Sequence, residues 1–240
     1  MKAFSITDVG RKRTMNQDYV FCSEDAVGVF PNLFIVADGM GGHKAGDYAS
    51  KFCVQAVVDS IEKSKLITPI GVLEEAINTA NLAVYKEAAT NSDLEGMGTT
   101  FVSAVIYDKN LYVANIGDSR LYLINDKVSQ ITEDHSLVEA MVKTGEIEKK
   151  DARFHPNKNI ITRALGTNKA VTADFFEVQL EDHDIVLLCS DGLTNMLEDE
   201  EINEIVKSYS DDIEKAAKML VEKANENGGK DNIAIIIVQL

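Results

Sequence analysis

Four aspartates lie near a glycine where an apolar run of the sequence begins or ends, and their carboxylates are the groups best suited to chemistry. Asp38 and Asp191 each follow such a run, Asp118 comes after the glycine that ends another, and Asp231 lies just before a fourth. Carboxylates that converge at strand ends repel one another unless a cation lies between them. Oxygen ligands alone favour Mg²⁺ or Mn²⁺, because zinc and copper prefer histidine and cysteine.

A group of carboxylates that holds two such ions could deliver hydroxide to a phosphorus or carbonyl centre. Water bound to a divalent cation loses its proton far more readily than bulk water does. Gly39, directly after Asp38, would let the backbone turn and bring its own carbonyl close to a ligand. A basic segment at 11–13 runs on to Asp18 and could hold a phosphate beside the metal. Taken by itself, that segment is also typical of a solvated basic turn.

The composition excludes several classes of function. Of 240 residues, 39 are acidic and 24 basic, which gives a net charge of -15. Such a surface repels nucleic acid and anionic membranes. No stretch approaches the ~18 apolar residues of a membrane span, and the first residues are too polar for a signal peptide. Three scattered cysteines without CxxC spacing imply neither a disulfide framework nor a zinc site. We therefore expect a cytoplasmic protein that binds neither nucleic acid nor membranes.

Hydrophobic periodicity predicts strands, two helices, a strand-rich middle, an irregular segment, further strands, two more helices and a last strand. Helix pairs set apart from clusters of strands are typical of the α+β class. The irregular segment 132–168 is long enough to be functional or mobile, and we interpret it as a flap. No linker, repeat or low-complexity tract interrupts the chain, so one domain over residues 1–240 is predicted.

Six short segments occur in an order that points to one family. They are Arg13-x-x-Asn16-Gln17-Asp18, Asp38-Gly39-Met40-Gly41-Gly42-His43, Gly98-Thr99-Thr100, Gly117-Asp118-Ser119-Arg120, Ser190-Asp191-Gly192 and Gly229-Lys230-Asp231-Asn232. Together they resemble the successive motifs of the metal-dependent protein phosphatase 2C family, and the bacterial single-domain branch in particular. Any one of them is a weak signal, but six in order, spread over residues 13–232, are very specific.

The resemblance implies a fold and an activity. The implied fold has two antiparallel β-sheets packed face to face as a central sandwich, with a pair of antiparallel helices outside each sheet. The implied activity is hydrolysis of phosphoserine and phosphothreonine in proteins by a metal-activated water, without a phosphoenzyme. It would use two core Mn²⁺ or Mg²⁺ ions and a weaker third. The expected partners are phosphorylated proteins, including a cognate bacterial Ser/Thr kinase that the enzyme would oppose in signalling, and the enzyme itself would be a monomer.

The resemblance also implies roles for the residues of the core metal site. By position in the family motifs, Asp38 bridges the two ions and Gly39 gives its backbone carbonyl to one of them. Asp191 and Asp231 hold the other ion. Asp18 supports the site, mostly through a metal-bound water.

Three further residues are assigned by the same resemblance. Arg13 matches the arginine that grips the substrate phosphate, a task for which the planar guanidinium fork is suited. Asp118 matches, together with Asp191, the third metal site of bacterial members. His43 is a candidate general acid, although animal relatives carry their histidine three positions earlier, where this chain has Met40. A helix-start histidine is the alternative interpretation of His43, and a metal-bound water could donate the proton instead.

Three other phosphatase or nucleotide motifs fail on their residues. Cys189 precedes Ser190-Asp191-Gly192, but a cysteine phosphatase needs an arginine six residues on, where this chain has Asn195. Residues 182–184 resemble the nucleophile motif of haloacid-dehalogenase-type phosphatases, but the buried strand follows that motif instead of preceding it, so we interpret them as a solvated turn. Residues 39–42 lack the third glycine and the GK[ST] ending of the nucleotide-binding loops.

Two alternative functions stay open at this point. A nuclease or another two-metal hydrolase would also use clustered aspartates, although the acidic composition argues against nucleic-acid substrates. A catalytically inactive relative that binds phosphoproteins or senses metal would be expected to lack a metal aspartate, and this chain has every expected one.

Overall fold

A computed structural model of the protein describes residues 1–42 and 45–240. The strands are β1 (Lys2–Asp8), β2 (Asp18–Ser23), β3 (Leu33–Met40), β4 (Gly98–Thr99), β5 (Phe101–Tyr107), β6 (Asn110–Ile116), β7 (Arg120–Ile124), β8 (Val128–Gln130), β9 (Asp174–Gln179), β10 (Ile185–Cys189) and β11 (Ile233–Gln239). The helices are α1 (Ala45–Lys63), α2 (Pro69–Thr90), α3 (Leu137–Lys143), α4 (Lys149–Ala152), α5 (Asp191–Thr194), α6 (Asp199–Ser208) and α7 (Ile213–Glu226), with a short 3₁₀ turn at Ser92–Leu94.

The strands form two antiparallel sheets. One has the order β1-β11-β10-β7-β8, and the other has the order β2-β3-β5-β6-β9, with β4 also paired to β3. The sheets pack face to face around a shared apolar core, which includes Phe34, Val102, Leu121, Val186 and Ile236. This arrangement confirms the predicted α+β class with a central sandwich.

Each sheet carries a helix pair on its outer face. Helices α1 and α2 pack on β3 and its neighbours, while α6 and α7 pack on β10 and β11. The apolar positions of α1 recur at three- and four-residue spacing, so that Ala49, Cys53, Val57 and Ile61 form one buried stripe. Four layers result, helix–sheet–sheet–helix, as predicted.

The continuous apolar run of β3 follows from its place between two cores. Successive side chains of a strand point to opposite faces of the sheet. Phe34 and Val36 therefore enter the core between the sheets, while Leu33, Ile35 and Ala37 pack against the helices. Strand β10 alternates in the same way. Asp38 is the sixth residue of β3, and Asp191 lies two positions after the last residue of β10.

Segment 132–168 contains the short helices α3 and α4, and its two ends are held together at its base. The backbone N–H of Leu137 donates to the carbonyl of Ile160 at 2.8 Å, and that of Thr162 donates to His135 at 2.7 Å. Helix α4 was not expected from the sequence, because four residues with two lysines carry no apolar stripe. In the described part of the chain none of the helices has the length and apolarity needed to cross a bilayer.

Two local expectations were wrong. Strand β9 begins at Asp174, although its apolar pattern predicts a start at Val171. The turn at 182–184 is only partly solvated. Asp182 is exposed, but Asp184 is buried, and its carboxylate accepts a hydrogen bond from the backbone N–H of Glu181 at 2.9 Å.

Candidate active site

Asp18 and Asp38 face each other across two neighbouring strands. They are directly paired in the register of β2 and β3, so both carboxylates lie at the same end of that sheet. Thr100 fixes the backbone of Asp38 from the other side. Its hydroxyl oxygen accepts from the Asp38 N–H at 2.9 Å, and its own N–H donates to the Asp38 carbonyl at 2.8 Å.

Gly39 lies where β3 approaches the start of α1 too closely for a side chain. A Cβ at this position would come within 1.9 Å of the Gly46 carbonyl oxygen and 2.8 Å of the Gln17 carbonyl oxygen. Gly46 is likewise required, because a Cβ there would meet the Gly39 carbonyl oxygen at 2.6 Å. The glycines thus keep bare backbone beside the Asp38 carboxylate.

The other sheet contributes Asp191 and Asp231 from adjacent loops. Asp191 opens α5 directly after β10, and Asp231 lies just before β11. A Cβ on Gly192 would come within 1.8 Å of the Asn232 carbonyl oxygen, so the two loops are in backbone contact. The side-chain amide of Asn195 donates to Asp191 Oδ2 at 2.8 Å and orients that carboxylate.

Ser190 links the Asp18 carboxylate of one sheet to the backbone of the other. Its hydroxyl donates to Asp18 Oδ2 at 2.7 Å and accepts from the Ala234 backbone N–H at 2.9 Å. Asp18 is in β2 and Ala234 is in β11, so this one hydroxyl fixes the position of one sheet end against the other.

Electrostatics show that the aspartates share one region of space. Burial raises the pKa of Asp38 well above its usual range, and four neighbouring aspartates raise it further. They are Asp18, Asp191, Asp118 and Asp231. The structure therefore brings together five aspartates that the sequence separates by up to 213 residues.

The pKa values of the neighbouring carboxylates are raised as well. Burial raises the pKa of Asp18 to about 7, although the hydrogen bond from Ser190 lowers it. Burial raises the pKa of Asp191 to about 6, and the charge of Asp231 adds to this shift. Burial and the charge of Asp191 also raise the pKa of Asp118 well above its usual range. Without a compensating cation, this cluster cannot ionise fully at low cost.

The cluster fits a divalent cation on its own chemistry. Asp18 Oδ1 and Asp191 Oδ1 are buried and accept no hydrogen bond. A buried acceptor without a partner is costly, and a metal ion would satisfy both oxygens. Within residues 1–42 and 45–240, the acidic, histidine and cysteine side chains form no closed cage of three or more around a single point. Backbone carbonyls and waters would complete the shell, which suits Mg²⁺ because it retains several of its waters.

Arg13 lies at the exposed edge of this cluster. Its Nη2 donates to Asp231 Oδ2 at 2.8 Å, and half of its side chain is exposed. Asn232 holds the preceding loop in place by donating from its side-chain amide to the carbonyls of Val9 and Met15, each at 2.9 Å. The guanidinium therefore reaches solvent from a fixed backbone, beside a carboxylate of the cluster.

Comparison with known proteins identifies this arrangement. The sequence pattern that defines the family described as "Protein phosphatase 2C" matches residues 9–232. The serine/threonine phosphatase stp of Listeria innocua is 45% identical over 243 residues, covering 97% of this chain and 93% of the relative. The chain belongs to the protein phosphatase 2C family.

Solved structures of family members agree with the fold. The crystal structure of serine/threonine phosphatase Stp1 from Staphylococcus aureus matches with a TM-score of 0.92 and 38% identity, over 100% of this chain and 94% of that one. A structure of the catalytic domain of the serine/threonine protein phosphatase PstP in complex with two manganese ions matches with a TM-score of 0.86 and 31% identity, over 98% and 96% of the chains. The predicted family and the predicted enzyme class, a serine/threonine phosphoprotein phosphatase, are confirmed.

Asp118 of this protein phosphatase 2C member opens onto a cleft beside the cluster. The cleft has a volume of about 550 Å³, and Asp118 and Asp191 contribute to its lining. The 132–168 flap contributes further lining residues, which include Phe154 and Lys158. Lys158 donates to Asn195 Oδ1 at 2.7 Å, and Asn195 in turn holds Asp191, so the flap is connected to a carboxylate of the cluster.

The two remaining sequence-based interpretations concern His43 and Cys189. His43 lies outside the described residues, so its assignment as general acid stays a prediction. Cys189 is fully buried, and burial raises the pKa of its thiol far above the usual range. Since the thiolate is the reactive form, Cys189 is a core residue and not a nucleophile.

Several residues that support the site were missed from the sequence. Ser190, Asn195, Asn232 and Lys158 each hold a carboxylate or its loop through a side-chain hydrogen bond. Ser190 and Asn232 were inside quoted motifs, so adjacency to an aspartate was the available signal. Asn195 lies four positions after Asp191, and this spacing was the available signal. For Lys158 the sequence contains none, because its contact joins the flap to Asn195 across 37 positions.

We expect the metal-free protein to lose stability as pH rises from about 4 to about 7. An ordinary aspartate has a pKa near ~4, whereas the pKa values of Asp18 and Asp191 in the folded chain are raised to about 7 and about 6. The folded state then retains protons that the unfolded state has released, and this advantage disappears as pH rises through the raised pKa values. Thermal unfolding of chelator-treated protein across this range measures the slope. Asp18→Asn removes one of the titrating groups, so an unchanged slope in that variant would contradict the expectation.

Proposed function

We propose that this phosphatase hydrolyses phosphoserine and phosphothreonine in proteins at a binuclear Mn²⁺ or Mg²⁺ centre built from its clustered aspartates. One observation carries the proposal. Aspartates from both sheets converge at one end of the sandwich, and buried carboxylate oxygens of Asp18 and Asp191 have no hydrogen-bond partner. Family membership supports the reaction class, and the manganese-bound relative supports the choice of metal.

The proposal assigns the core metal ligands from the placement of the carboxylates. Asp38, whose pKa is raised by the other four aspartates of the cluster, would contribute its carboxylate to both ions. Gly39 would offer its backbone carbonyl to one ion. Asp191 and Asp231, in contacting loops, would hold the other. Asp18 would support the site, mostly through a water. Asp118, in the cleft with Asp191, would serve a weaker third ion.

When bound, the ions supply a readily deprotonated water and neutralise charge on the phosphoryl group. The chain's own residues orient the substrate. Arg13 has half of its side chain exposed, and its planar fork can donate two parallel hydrogen bonds to phosphate oxygens. The carboxylates hold their charge in a buried, fixed arrangement and so require no reorganisation during the reaction. His43 is the candidate general acid that would donate a proton to the leaving alcohol.

Arg13→Ala is expected to raise KM about tenfold or more for a phosphopeptide and for a small aryl phosphate alike, because a charge-assisted hydrogen bond to phosphate is lost. Both substrates contain the phosphate, so KM should rise by the same factor for both. Arg11→Ala, an exposed arginine on the same loop, is the matched control and should leave both constants unchanged. If only the peptide KM rose in Arg13→Ala, the residue would belong to a docking surface for protein.

The proposed reaction is tested by the choice of phosphorylated residue. Phosphate release from phosphoserine and phosphothreonine peptides should exceed that from a matched phosphotyrosine peptide, with Mn²⁺ present and in the presence of okadaic acid. An enzyme that releases no phosphate from any of these peptides, or that cleaves nucleic acid instead, would overturn the proposed function.

Partners and location form the finer part of the proposal. Phosphoproteins are the substrates, and we propose that they include a cognate Ser/Thr kinase that this enzyme opposes. The enzyme would act as a monomeric single domain over residues 1–240 in the cytoplasm. The three cysteines, Cys22, Cys53 and Cys189, are free thiols, which supports a reducing compartment. The net charge of -15 supports an enzyme that does not bind nucleic acid or membranes.

A further inference from the structure

We propose that His135 is a positioning residue for the reaction. It holds the backbone of Gly117 and so places the adjacent Asp118 carboxylate in the cleft. It also connects this turn to the base of the flap. The inference rests on the proposed function, and it adds a residue that acts through Asp118. His135 itself touches neither the aspartate cluster nor the cleft wall.

His135 grips both main-chain polar groups of Gly117. The His135 backbone N–H donates to the Gly117 carbonyl at 2.8 Å, and the Gly117 N–H donates to His135 Nδ1 at 3.1 Å. Gly117 has φ +106°, and a Cβ there would meet the Thr100 side chain at 2.7 Å, so the turn cannot be re-formed around another residue without strain. The next residue along the chain is Asp118.

These contacts require one tautomer of the imidazole. A backbone N–H can only donate, so Nδ1 must present its lone pair and Nε2 must carry the hydrogen. Nε2 lies 3.0 Å from Asp174 Oδ2, which accepts that hydrogen. Arg163 Nη1 also lies 3.1 Å from Nε2, and in this tautomer it donates its hydrogen to Asp174 and not to the ring. Asp174 is held in turn by Arg163, whose Nη1 donates to its other oxygen at 2.7 Å. Only 5% of His135 is exposed, so water does not compete for these bonds.

The same residue is part of the flap base. The His135 carbonyl accepts from the Thr162 N–H at 2.7 Å, and Arg163 follows directly. The two ends of the flap therefore meet at His135, the residue that fixes the turn at Gly117 and Asp118. A displacement of the flap base would move the Asp118 carboxylate, and a misplacement of about 1 Å near reacting groups can cost about a hundredfold in rate.

Two replacements of His135 separate positioning from simple packing. In His135→Asn the amide oxygen lies near the place of Nδ1 and can still accept from Gly117. In His135→Gln the amide reaches the place of Nε2, so the Asp174 contact is kept and the Gly117 contact is lost. We expect kcat to fall at least about tenfold in His135→Gln and to stay within about threefold of wild type in His135→Asn. KM and the two tight Mn²⁺ ions should be unchanged in both.

His183→Asn is the matched control. His183 has φ +77° in an exposed turn, a conformation that asparagine adopts readily. It should keep wild-type turnover. Should His135→Gln fail to fold, Asp174→Ala provides the second variant, because Asp174 is partly exposed. Without Asp174, Arg163 Nη1, which lies 3.1 Å from His135 Nε2, can donate to that nitrogen only if the ring hydrogen moves to Nδ1, where it opposes the Gly117 N–H. The asparagine variant has no ring to shift in this way. The same loss of kcat with KM unchanged is expected there.

A double-mutant cycle with Asp118→Ala decides whether His135 acts through Asp118. Asp118→Ala should leave two tight Mn²⁺ ions and the fold in place while lowering turnover. If His135 acts through Asp118, the double variant His135→Gln/Asp118→Ala is no slower than Asp118→Ala alone. Losses that multiply, equal impairment of the Asn and Gln variants, or normal turnover in Asp118→Ala would each overturn the inference. None of these outcomes affects the proposed phosphatase activity, which fails only if the wild type releases no phosphate.

Discussion

Removal of the divalent ions is expected to reduce phosphate release from a phosphothreonine peptide by at least about a thousandfold, because the ions supply both the nucleophile and most of the charge stabilisation. The described aspartate cluster offers oxygen ligands only, which favours Mg²⁺ or Mn²⁺ over zinc. Protein treated with excess EDTA and then desalted should be inactive and should recover fully on addition of Mn²⁺.

A second readout guards against damage by the chelator. The metal-free protein should remain folded by circular dichroism, with a melting temperature that rises on adding Mn²⁺, because binding to the folded state alone stabilises it. Full turnover in metal-free protein would end the two-metal interpretation, whatever the identity of the substrate.

Asp38→Asn is expected to lower kcat at least about a hundredfold at saturating Mn²⁺, the scale of a lost electrostatic contact in a transition state. Asparagine keeps the shape of the side chain, and Thr100 continues to fix the backbone at 2.9 Å and 2.8 Å. The change therefore removes charge with little effect on geometry. Steady-state kinetics on the phosphothreonine peptide measure the loss.

The same variant should gain stability when metal is absent. Burial and four neighbouring aspartates make the ionised form of Asp38 costly in the metal-free protein, so a neutral amide at this position removes that cost. A higher melting temperature combined with lower activity is a signature that a merely structural aspartate would not give. Asp182→Asn is the control, since Asp182 is exposed and, within residues 1–42 and 45–240, forms an ion pair with Lys109 alone, at 3.2 Å. Asp38→Asn activity within about fivefold of wild type would contradict the bridging role.

The apolar strands of this fold were predictable because a run of apolar residues in the sequence is enough to indicate a buried strand. Strand β3 lies between two cores, so its five apolar residues before Asp38 indicate burial on both faces. The polar residues Asp108, Lys109 and Asn110 between two apolar runs indicate the β5–β6 hairpin, in which Asp108 and Lys109 adopt φ of 55° and 64°. The convergence of the aspartates was expected from strand ends and from the family resemblance together.

The supporting contacts could not be predicted, because they depend on the relative placement of distant side chains. Ser190 bonds to Asp18 across 172 positions, and Asn232 bonds to Gln17 across 215. The sequence around a serine or an asparagine does not indicate which distant residue its side chain will bond to. The burial of Asp184 was missed for the same reason, since its local sequence is typical of a solvated turn. The roles of the site residues stay predictions until the variants above are measured.

Calorimetric titration of Mn²⁺ into chelator-treated wild-type protein, with phosphate release measured on the same samples, tests the two-metal centre most directly. We predict two tight Mn²⁺ ions per chain, with turnover that rises as the second of them binds and reaches its maximum when the tight sites are full. Turnover that is complete with one ion or with none, or binding of both ions without any phosphate release, would contradict the account.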